Sequence, residues 1–197
     1  MSSIPSEYGA STPANIPLET ARWMKHHPLW PVLYPVLAGT CLLLMLWGPS
    51  GFLWLALLFA FLTFRYWGKV RHAFRHGNAN PARLLSVRPP LVAVWSDLTT
   101  SEEQGHPAIK VLPYPLKTVL GQPLQVGQAV PTASIYQGSE DAEAWKDLTV
   151  YLLEEGSADH AALGEMLGRI PPEEWAELDG ALEAAGWQMK PGLHRLS

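Results

Sequence analysis

Two histidines have a spacing that is able to support metal chemistry. His72 and His76 are four residues apart, which places both imidazoles on one face of a helix. No third ligand is close to them in the sequence, and zinc sites in proteins use three or four protein ligands. We therefore predict a solvated pair of histidines at an interface and no metal site.

A second group, Ser157, Asp159 and His160, contains the residue types of a hydrolytic triad. A triad needs a nucleophile, a base and an orienting carboxylate that point at one another, and neighbouring positions at a helix start do not provide that geometry. The preference of serine for helix N-caps explains Ser157 more simply. The acidic stretch from Asp97 to Glu103 lacks the regular oxygen spacing of a cation-binding loop, so solvation explains it.

The sequence also lacks the motifs of phosphate loops, dinucleotide folds, serine hydrolases and zinc proteases. It therefore predicts no catalytic, cofactor-binding or metal-ligating residue, and no enzyme.

The distribution of charge along the chain restricts the class of partner that the protein can bind. Residues 1–78 carry six Lys and Arg against two Asp and Glu, whereas residues 79–197 carry eight against sixteen. Nucleic-acid binders concentrate positive charge on the folded domain, so nucleic acid is excluded as a partner.

Two apolar segments have the composition of membrane spans. Residues 29–47 contain nineteen positions without a charge, about the length of a helix that crosses a hydrocarbon core. After a glycine–proline turn at 48–51, residues 52–64 add thirteen uncharged positions. Because this second segment is short, a re-entrant or interfacial segment is an alternative to a second span.

The flanking charges favour a helical hairpin over a single span. Basic residues accumulate on the cytoplasmic side of membrane spans, and a hairpin keeps both basic clusters on that side. The first cluster, Arg22 and Lys25, precedes the first segment, and the second follows the second segment. The sequence therefore predicts a multi-pass protein with both termini in the cytoplasm.

Aromatic and basic residues mark the expected membrane boundaries. Tryptophan prefers the lipid–water interface. The predicted interface anchors are Trp30, Trp47, Trp54 and Trp67. Basic and apolar residues alternate after the second segment, which lets a continuing helix rest on an anionic leaflet at about 1 kcal/mol per basic residue. The predicted contacts to anionic lipid are Arg65, Lys69, Arg71 and Arg75.

The rest of the chain predicts a small α+β domain. Short apolar runs separated by Pro and Gly over residues 82–138 indicate a small antiparallel sheet or a partial barrel. Both faces of Leu91–Trp95 are apolar, so this strand should be central and covered. Residues 148–153 favour another strand, with an extended arm as the alternative. Two amphipathic helices follow over Ser157–Ile170 and Pro171–Ala185.

The predicted organisation has three parts. A disordered N-terminal arm occupies residues 1–26, and a transmembrane hairpin with a basic juxtamembrane helix occupies residues 27–76. A cytoplasmic α+β domain occupies residues 77–197, β-rich at 82–138 and helical at 140–190. The single cysteine excludes a disulfide-stapled secreted domain.

Three stretches of the domain resemble one family: GNANPARLLSVRPPLVAVWSDLT, HPAIKVLPYPL and the helix start IPPEEW. The resemblance is to an uncharacterised group of bacterial proteins, anchored in the membrane at the N-terminus and of unknown function. It covers roughly the part of the chain after residue 76. It implies a soluble domain tethered to the bacterial inner membrane and carries over no active-site residue.

These features together predict a membrane-anchored accessory, scaffold or assembly subunit. Its acidic cytoplasmic domain would contact a protein partner, its other partner would be the lipid bilayer, and no cofactor is expected. A small-ligand or lipid-sensing module is the alternative, based on the basic helix and the apolar β-rich domain. An enzyme acting on a membrane substrate would need a polar pocket at the membrane face, with histidines such as His72, His76, His106 or His160.

Overall fold

The computed structural model describes residues 12–46, 48–100, 105–139 and 142–196, and these residues form two compact units. The helical unit comprises residues 17–72 and 155–158. The sheet unit comprises the described parts of residues 12–16, 73–154 and 159–196. The sheet unit is therefore built from three segments of the chain and the helical unit from two.

The helical unit is built from α1 (Thr20–His26), α2 (Leu29–Met45) and most of α3 (Gly51–His76). The two predicted apolar segments correspond to α2 and to the first part of α3. The basic segment that follows the second apolar segment continues the same helix, as predicted, so α3 has 26 residues. α1 and α2 are bent by 100° at the short break between them, next to Pro28, which has no amide hydrogen to donate.

The sheet unit contains nine strands: β1 (Asn78–Asn80), β2 (Ala82–Val87), β3 (Pro90–Asp97), β4 (Pro107–Pro113), β5 (Thr118–Val119), β6 (Gln122–Pro123), β7 (Thr132–Gln137), β8 (Asp147–Leu152) and β9 (Gly192–Arg195). Within the described residues they form three antiparallel sheets, ordered β1-β7-β8, β2-β3-β4-β9 and β5-β6. The antiparallel sheet is confirmed, and none of these sheets closes into a barrel.

The core of the sheet unit has two apolar layers, one on each face of β3. Val92 and Val94 pack with Leu148, Val150 and Leu152 of β8, so two sheets face each other. The alternate side chains of β3, including Trp95, pack with two leucines of α5 (Pro172–Ala184). β3 pairs with β2 on one side and β4 on the other. The prediction of a central strand covered on both faces is therefore confirmed.

One end of the core between the two sheets is polar. The Nδ2 group of Asn78 donates to the hydroxyl of Tyr136 at 3.0 Å. The same hydroxyl lies 2.8 Å from the Oγ atom of Ser96. The side chains of Asn80 and Ser134, both buried, have no hydrogen-bond partner among the described residues. Internal water commonly satisfies buried polar groups of this kind.

The N-terminal arm is the main departure from the predicted organisation. The sequence predicts disorder up to residue 26, but α1 begins at Thr20 and its Trp23 is buried. Upstream, the amide of Ala79 donates to the carbonyl of Thr12 at 2.8 Å, and Ala14 donates to Gly77 at 2.9 Å. These bonds place residues 12–14 along the outer edge of β1, because an edge strand leaves its backbone groups unpaired. Residues 1–11 lie outside the described residues.

The two predicted C-terminal helices are present as α4 (His160–Arg169) and α5. The prediction that Ser157 is the N-cap of α4 is wrong. α4 begins at His160, and the carboxylate of Asp159 accepts the amide of Ala162 at 2.9 Å. Asp159 is therefore the residue placed to satisfy an amide of the first turn. Strands β1 and β9 were not predicted.

Arg83 joins the sheet β2-β3-β4-β9 to α5. Its guanidinium donates through Nε and Nη2 to the two carboxylate oxygens of Asp179, at 2.9 and 2.7 Å. Nη1 donates to the carbonyl of Gly127 at 3.1 Å. The same group lies 4.6 Å from the ring centre of Trp175. A paired, stacked guanidinium of this kind is a stronger link than a single exposed ion pair.

We expect Arg83→Ala to lower the free energy of unfolding by about 1–3 kcal/mol, because it removes three hydrogen bonds and leaves Asp179 unpaired. Urea unfolding of the full chain in mild detergent, followed by circular dichroism, measures the change. The control is Arg195→Ala, an exposed arginine on the edge strand β9. Equal losses in the two variants would contradict the assignment.

Candidate membrane-interface site

The C-terminal part of α3 has a basic side and a buried side. Four basic residues recur at i, i+4, i+7 and i+11, which aligns them along one face of the helix. These residues are Arg65, Lys69, His72 and His76, with Arg71 and Arg75 on the neighbouring face, and all six are exposed. On the other side, Val70, Ala73 and Phe74 are at most 2% exposed. All four predicted lipid contacts therefore lie on the exposed part of one continuous helix.

The N-terminal part of α3 exposes a large apolar surface. Trp54 and Phe64, for example, are 74% and 78% exposed. By length and composition, α3 is the one helix among the described residues that is long and apolar enough to cross a membrane. The bent pair α1–α2 adds a second if it forms one span. Water-soluble proteins rarely expose apolar surface on this scale, which indicates membrane association.

Two threonines inside the apolar helices have hydroxyl groups that are satisfied locally. The hydroxyl of Thr40 donates to the carbonyl of Val36 at 2.9 Å within α2. In α3, Thr63 donates to Phe59 at 2.8 Å. Hydrocarbon offers no hydrogen-bond partner, so a helix in lipid must satisfy its polar groups internally. Both threonines meet this requirement.

Three of the predicted interface tryptophans fall within the described residues. Trp30 lies in the first turn of α2, is half-exposed and stacks on Tyr34, with ring centres 5.3 Å apart. Trp54 lies near the start of α3. Trp67 is partly buried beside the basic residues and makes an edge contact with Tyr66 at 5.6 Å. Trp47 lies outside the described residues.

A hydrogen bond that the sequence did not predict links α1 to α3. The indole Nε1 of Trp23 donates to the hydroxyl of Tyr66 at 2.8 Å. The ring of Trp23 also packs against that of His27 in a tilted arrangement, with ring centres 4.1 Å apart. We call these three residues the junction. Since Trp23 lies just before α2 and Tyr66 follows the apolar part of α3, the junction holds the start of one apolar helix beside the end of the other.

A short segment from the far end of the sequence packs on α1 within the helical unit. The carboxylate of Glu155, whose side chain is 8% exposed, lies 2.7 Å from Nε2 of His27. The amide of Glu19 donates to the carbonyl of Gly156 at 2.7 Å, and the carboxylate of Glu19 accepts the amide of Ala158 at 2.7 Å. These contacts fix the segment that follows β8 to both ends of α1.

The triad-like residues do not form a catalytic arrangement. The carboxylate of Asp159 caps α4, so it is not available to orient His160. Nε2 of His160 lies 3.9 Å from the carboxylate of Glu154. That carboxylate accepts the amide of Leu120 at 2.9 Å, in the tight turn between β5 and β6. Glu154 therefore stabilises the turn between β5 and β6.

Asp97, in the acidic stretch considered as a cation site, has a structural role. Asp97 accepts the amide of His106 at 3.0 Å, which closes the loop between β3 and β4. Residues 101–104 of that acidic stretch lie outside the described residues. Where the structure describes the chain, no group of three or more His, Cys, Asp or Glu is arranged to hold a metal ion.

Negative charge is concentrated at the start of α5. Burial raises the pKa of the Glu174 carboxyl above its usual range, and the charges of Glu177, Asp97 and Glu173 raise it further. Glu173 and Glu177 themselves are exposed on the helix. The acidic character of the domain therefore includes a local patch on one helix of the sheet unit.

The family comparison supports the resemblance found in the sequence. Residues 65–185 match the family model described as protein of unknown function, DUF3239. This match covers more than half of the chain, so the chain belongs to that family, and the expected membership in an uncharacterised bacterial family is confirmed. The comparison with curated proteins found no match.

One solved structure is similar in fold. It is the crystal structure of a candidate membrane protein from Corynebacterium diphtheriae. The similarity covers 60% of this chain and 100% of the other, at 16% sequence identity and a TM-score of 0.49. Similarity at this level supports no conclusion about function.

We expect Tyr66→Phe to destabilise the helical unit by about 1 kcal/mol, because it removes the acceptor of the Trp23 indole and keeps the ring. The thermal midpoint of the full chain in detergent micelles measures the loss, and faster amide exchange in α1 would place it at the junction. Tyr34→Phe in α2 is the matched control, since it also removes a hydroxyl and keeps a ring that stacks on a tryptophan, here Trp30. Equal effects in the two variants would contradict this role.

Proposed function

We propose that this protein is a membrane-anchored accessory or assembly subunit without catalytic activity. Its two apolar helices form a transmembrane hairpin, and its acidic sheet unit contacts a protein partner in the cytoplasm. The observation that carries the proposal is helix α3. It passes without a break from an exposed apolar surface to an exposed basic one, as expected of a helix that leaves a bilayer at an anionic leaflet.

The junction supports the hairpin. α2 starts beside Trp23, and α3 returns to Trp23 at Tyr66. At 1.5 Å per residue, the 17 residues of α2 span about 25 Å and residues 51–66 of α3 span about 24 Å. The two arms are therefore equal in length, as a hairpin requires. Both are slightly shorter than a typical core of about 30 Å, a difference that local thinning of the bilayer accommodates.

The bend between α1 and α2 supports the same orientation. If α2 crosses the bilayer, a bend of 100° lays α1 close to the membrane plane. α1 carries Arg22, Lys25 and His26, three basic residues that suit the headgroup region. These residues and the basic part of α3 then lie on one side of the membrane, and the uncharged turn between the two helices lies on the other. By the positive-inside rule, the basic side is the cytoplasmic side.

The charge of the sheet unit supports a protein partner. An anionic leaflet attracts basic residues and repels acidic ones. The exposed carboxylates of α5 are therefore poor lipid contacts and are suited to a basic surface on another protein. The alternative function is a lipid-sensing module. In that case the basic face of α3 would itself be the surface that binds the ligand.

Cysteine accessibility tests the hairpin. In a Cys41→Ala background, we expect Ser50→Cys, in the turn between α2 and α3, to react with a membrane-impermeant maleimide on intact cells. Lys117→Cys, at an exposed position of the sheet unit, should react only after lysis. Labelling of Lys117→Cys on intact cells, or protection of Ser50→Cys until lysis, would exclude the proposed topology.

Purification in mild detergent tests the partner. We expect the full chain to recover a partner in stoichiometric amount. Replacing Glu173, Glu177 and Glu183 of α5 together by Gln should reduce recovery roughly tenfold, as for the loss of three interface charges. Glu165→Gln, an exposed position on α4, is the control. A solitary monomer under these conditions would exclude the accessory role.

A further inference from the structure

An open apolar groove runs along the first two turns of α2, beginning at Pro28. Five residues line it: Pro28, Leu29, Val32, Leu33 and Val36. The last four recur at i, i+3, i+4 and i+7, so they form one continuous stripe of the helix. The groove has a volume of about 430 Å³, within the range of about 300–1,000 Å³ typical of ligand sites. We call it the elbow groove.

Positive charge adjoins this groove along the chain. Lys25 and His26, in the last turn of α1, are exposed and precede Pro28 by three and two residues. Three residues of chain span at most about 11 Å, so both residues lie close to the first turn of α2, where the groove begins. His26 also lies 4.0 Å from the carboxylate of Glu155, which leaves Lys25 as the cation of the two without an ion pair among the described residues. Arg22 lies one turn earlier, on the same face of α1. The apolar stripe of α2 therefore begins a few residues after a group of basic residues in α1.

We infer that the elbow groove binds one anionic phospholipid, with an acyl chain against α2 and the phosphate at Lys25. This inference rests on the proposed membrane anchoring. The ligand class follows from the two parts of the site: the lining offers dispersion contacts and no polar partner, and α1 offers charge-assisted hydrogen bonds to a phosphate. A helix of another protein would place apolar side chains, rather than an anion, beside the basic residues.

The site differs from the basic face of α3. The residues of α3 lie along a helix that leaves the membrane, so they meet many headgroups in passing, each with a small electrostatic gain. The elbow groove adds a larger apolar contact, because four side chains on one face of α2 line a volume of about 430 Å³ against which one acyl chain can pack. The expected result is retention of a single lipid through purification.

Lipid retention by the full chain tests the inference. The protein is delipidated in detergent and titrated with phosphatidylglycerol or phosphatidylcholine, and native mass spectrometry counts bound lipid. Wild type should bind one phosphatidylglycerol in preference to phosphatidylcholine. Val32→Trp, which fills the groove, should weaken binding roughly tenfold, as for the loss of about two buried methylene groups. Leu44→Trp, at an exposed position of α2 outside the groove, should leave binding unchanged.

A second variant keeps the test independent of packing in α2. Lys25→Gln leaves the groove intact and should weaken phosphatidylglycerol binding roughly fivefold, as for one basic residue near an anionic headgroup. Equal binding of the two lipids, unchanged binding by Val32→Trp, or unchanged binding by Lys25→Gln would overturn the inference. Formation of a disulfide-linked dimer by Val32→Cys would also overturn it, because a second copy would then occupy the groove.

The two proposals fail in different ways. Loss of the proposed membrane anchoring would appear as protein in the soluble fraction and as reversed maleimide labelling. Failure of the lipid site alone would leave the protein in the membrane fraction with unaltered labelling and change only the number of lipids bound.

Discussion

The rest of the structure depends on the unbroken backbone of α3. In hydrocarbon each amide and carbonyl needs an intrahelical partner, whereas in water a helix of this composition would expose its apolar face. Residues 51–64 of α3 are helical, so their backbone amides and carbonyls have intrahelical partners. The same helix continues without a break through the basic residues that follow. Because the helix does not break, the exposed positions of Lys69 and Arg71 are fixed relative to Trp54 by helical geometry alone. A flexible linker at this point would remove that relation.

Patterns that depend on neighbours in the sequence were predicted well. β3 was identified as central because both of its faces are apolar, and the two cores that contact Val94 and Trp95 confirm it. α4 and α5 follow from their amphipathic spacing. The continuation of α3 beyond its apolar part was also predicted, since the basic and apolar residues there alternate with helical period. In each case the information lies within about ten residues.

Features that depend on distant partners were not predicted. The strand β1 has three residues, two of them asparagines, and this composition is typical of a turn. It forms a strand because Asn78 pairs with Ser134 of β7 and Asn80 pairs with Thr132. β9 is formed by pairing with β4. The order of residues 12–26 depends on contacts with the edge of β1 and on the bond from Trp23 to Tyr66. The low apolar content of the N-terminal arm led to a prediction of disorder, because a few buried side chains change the average composition of a segment very little.

The candidate site combines both kinds of information. The basic residues of α3 could be read from the sequence, because charge and helical spacing are local. The junction could not, because Trp23 and Tyr66 are 43 residues apart and neither residue belongs to a motif. The same holds for Glu155, a buried carboxylate whose histidine partner is 128 residues away. Both contacts meet at α1, a helix of seven residues that is too short to be stable alone in water. α1 is therefore stabilised by its partners, and a change in either contact acts first at the bend between α1 and α2.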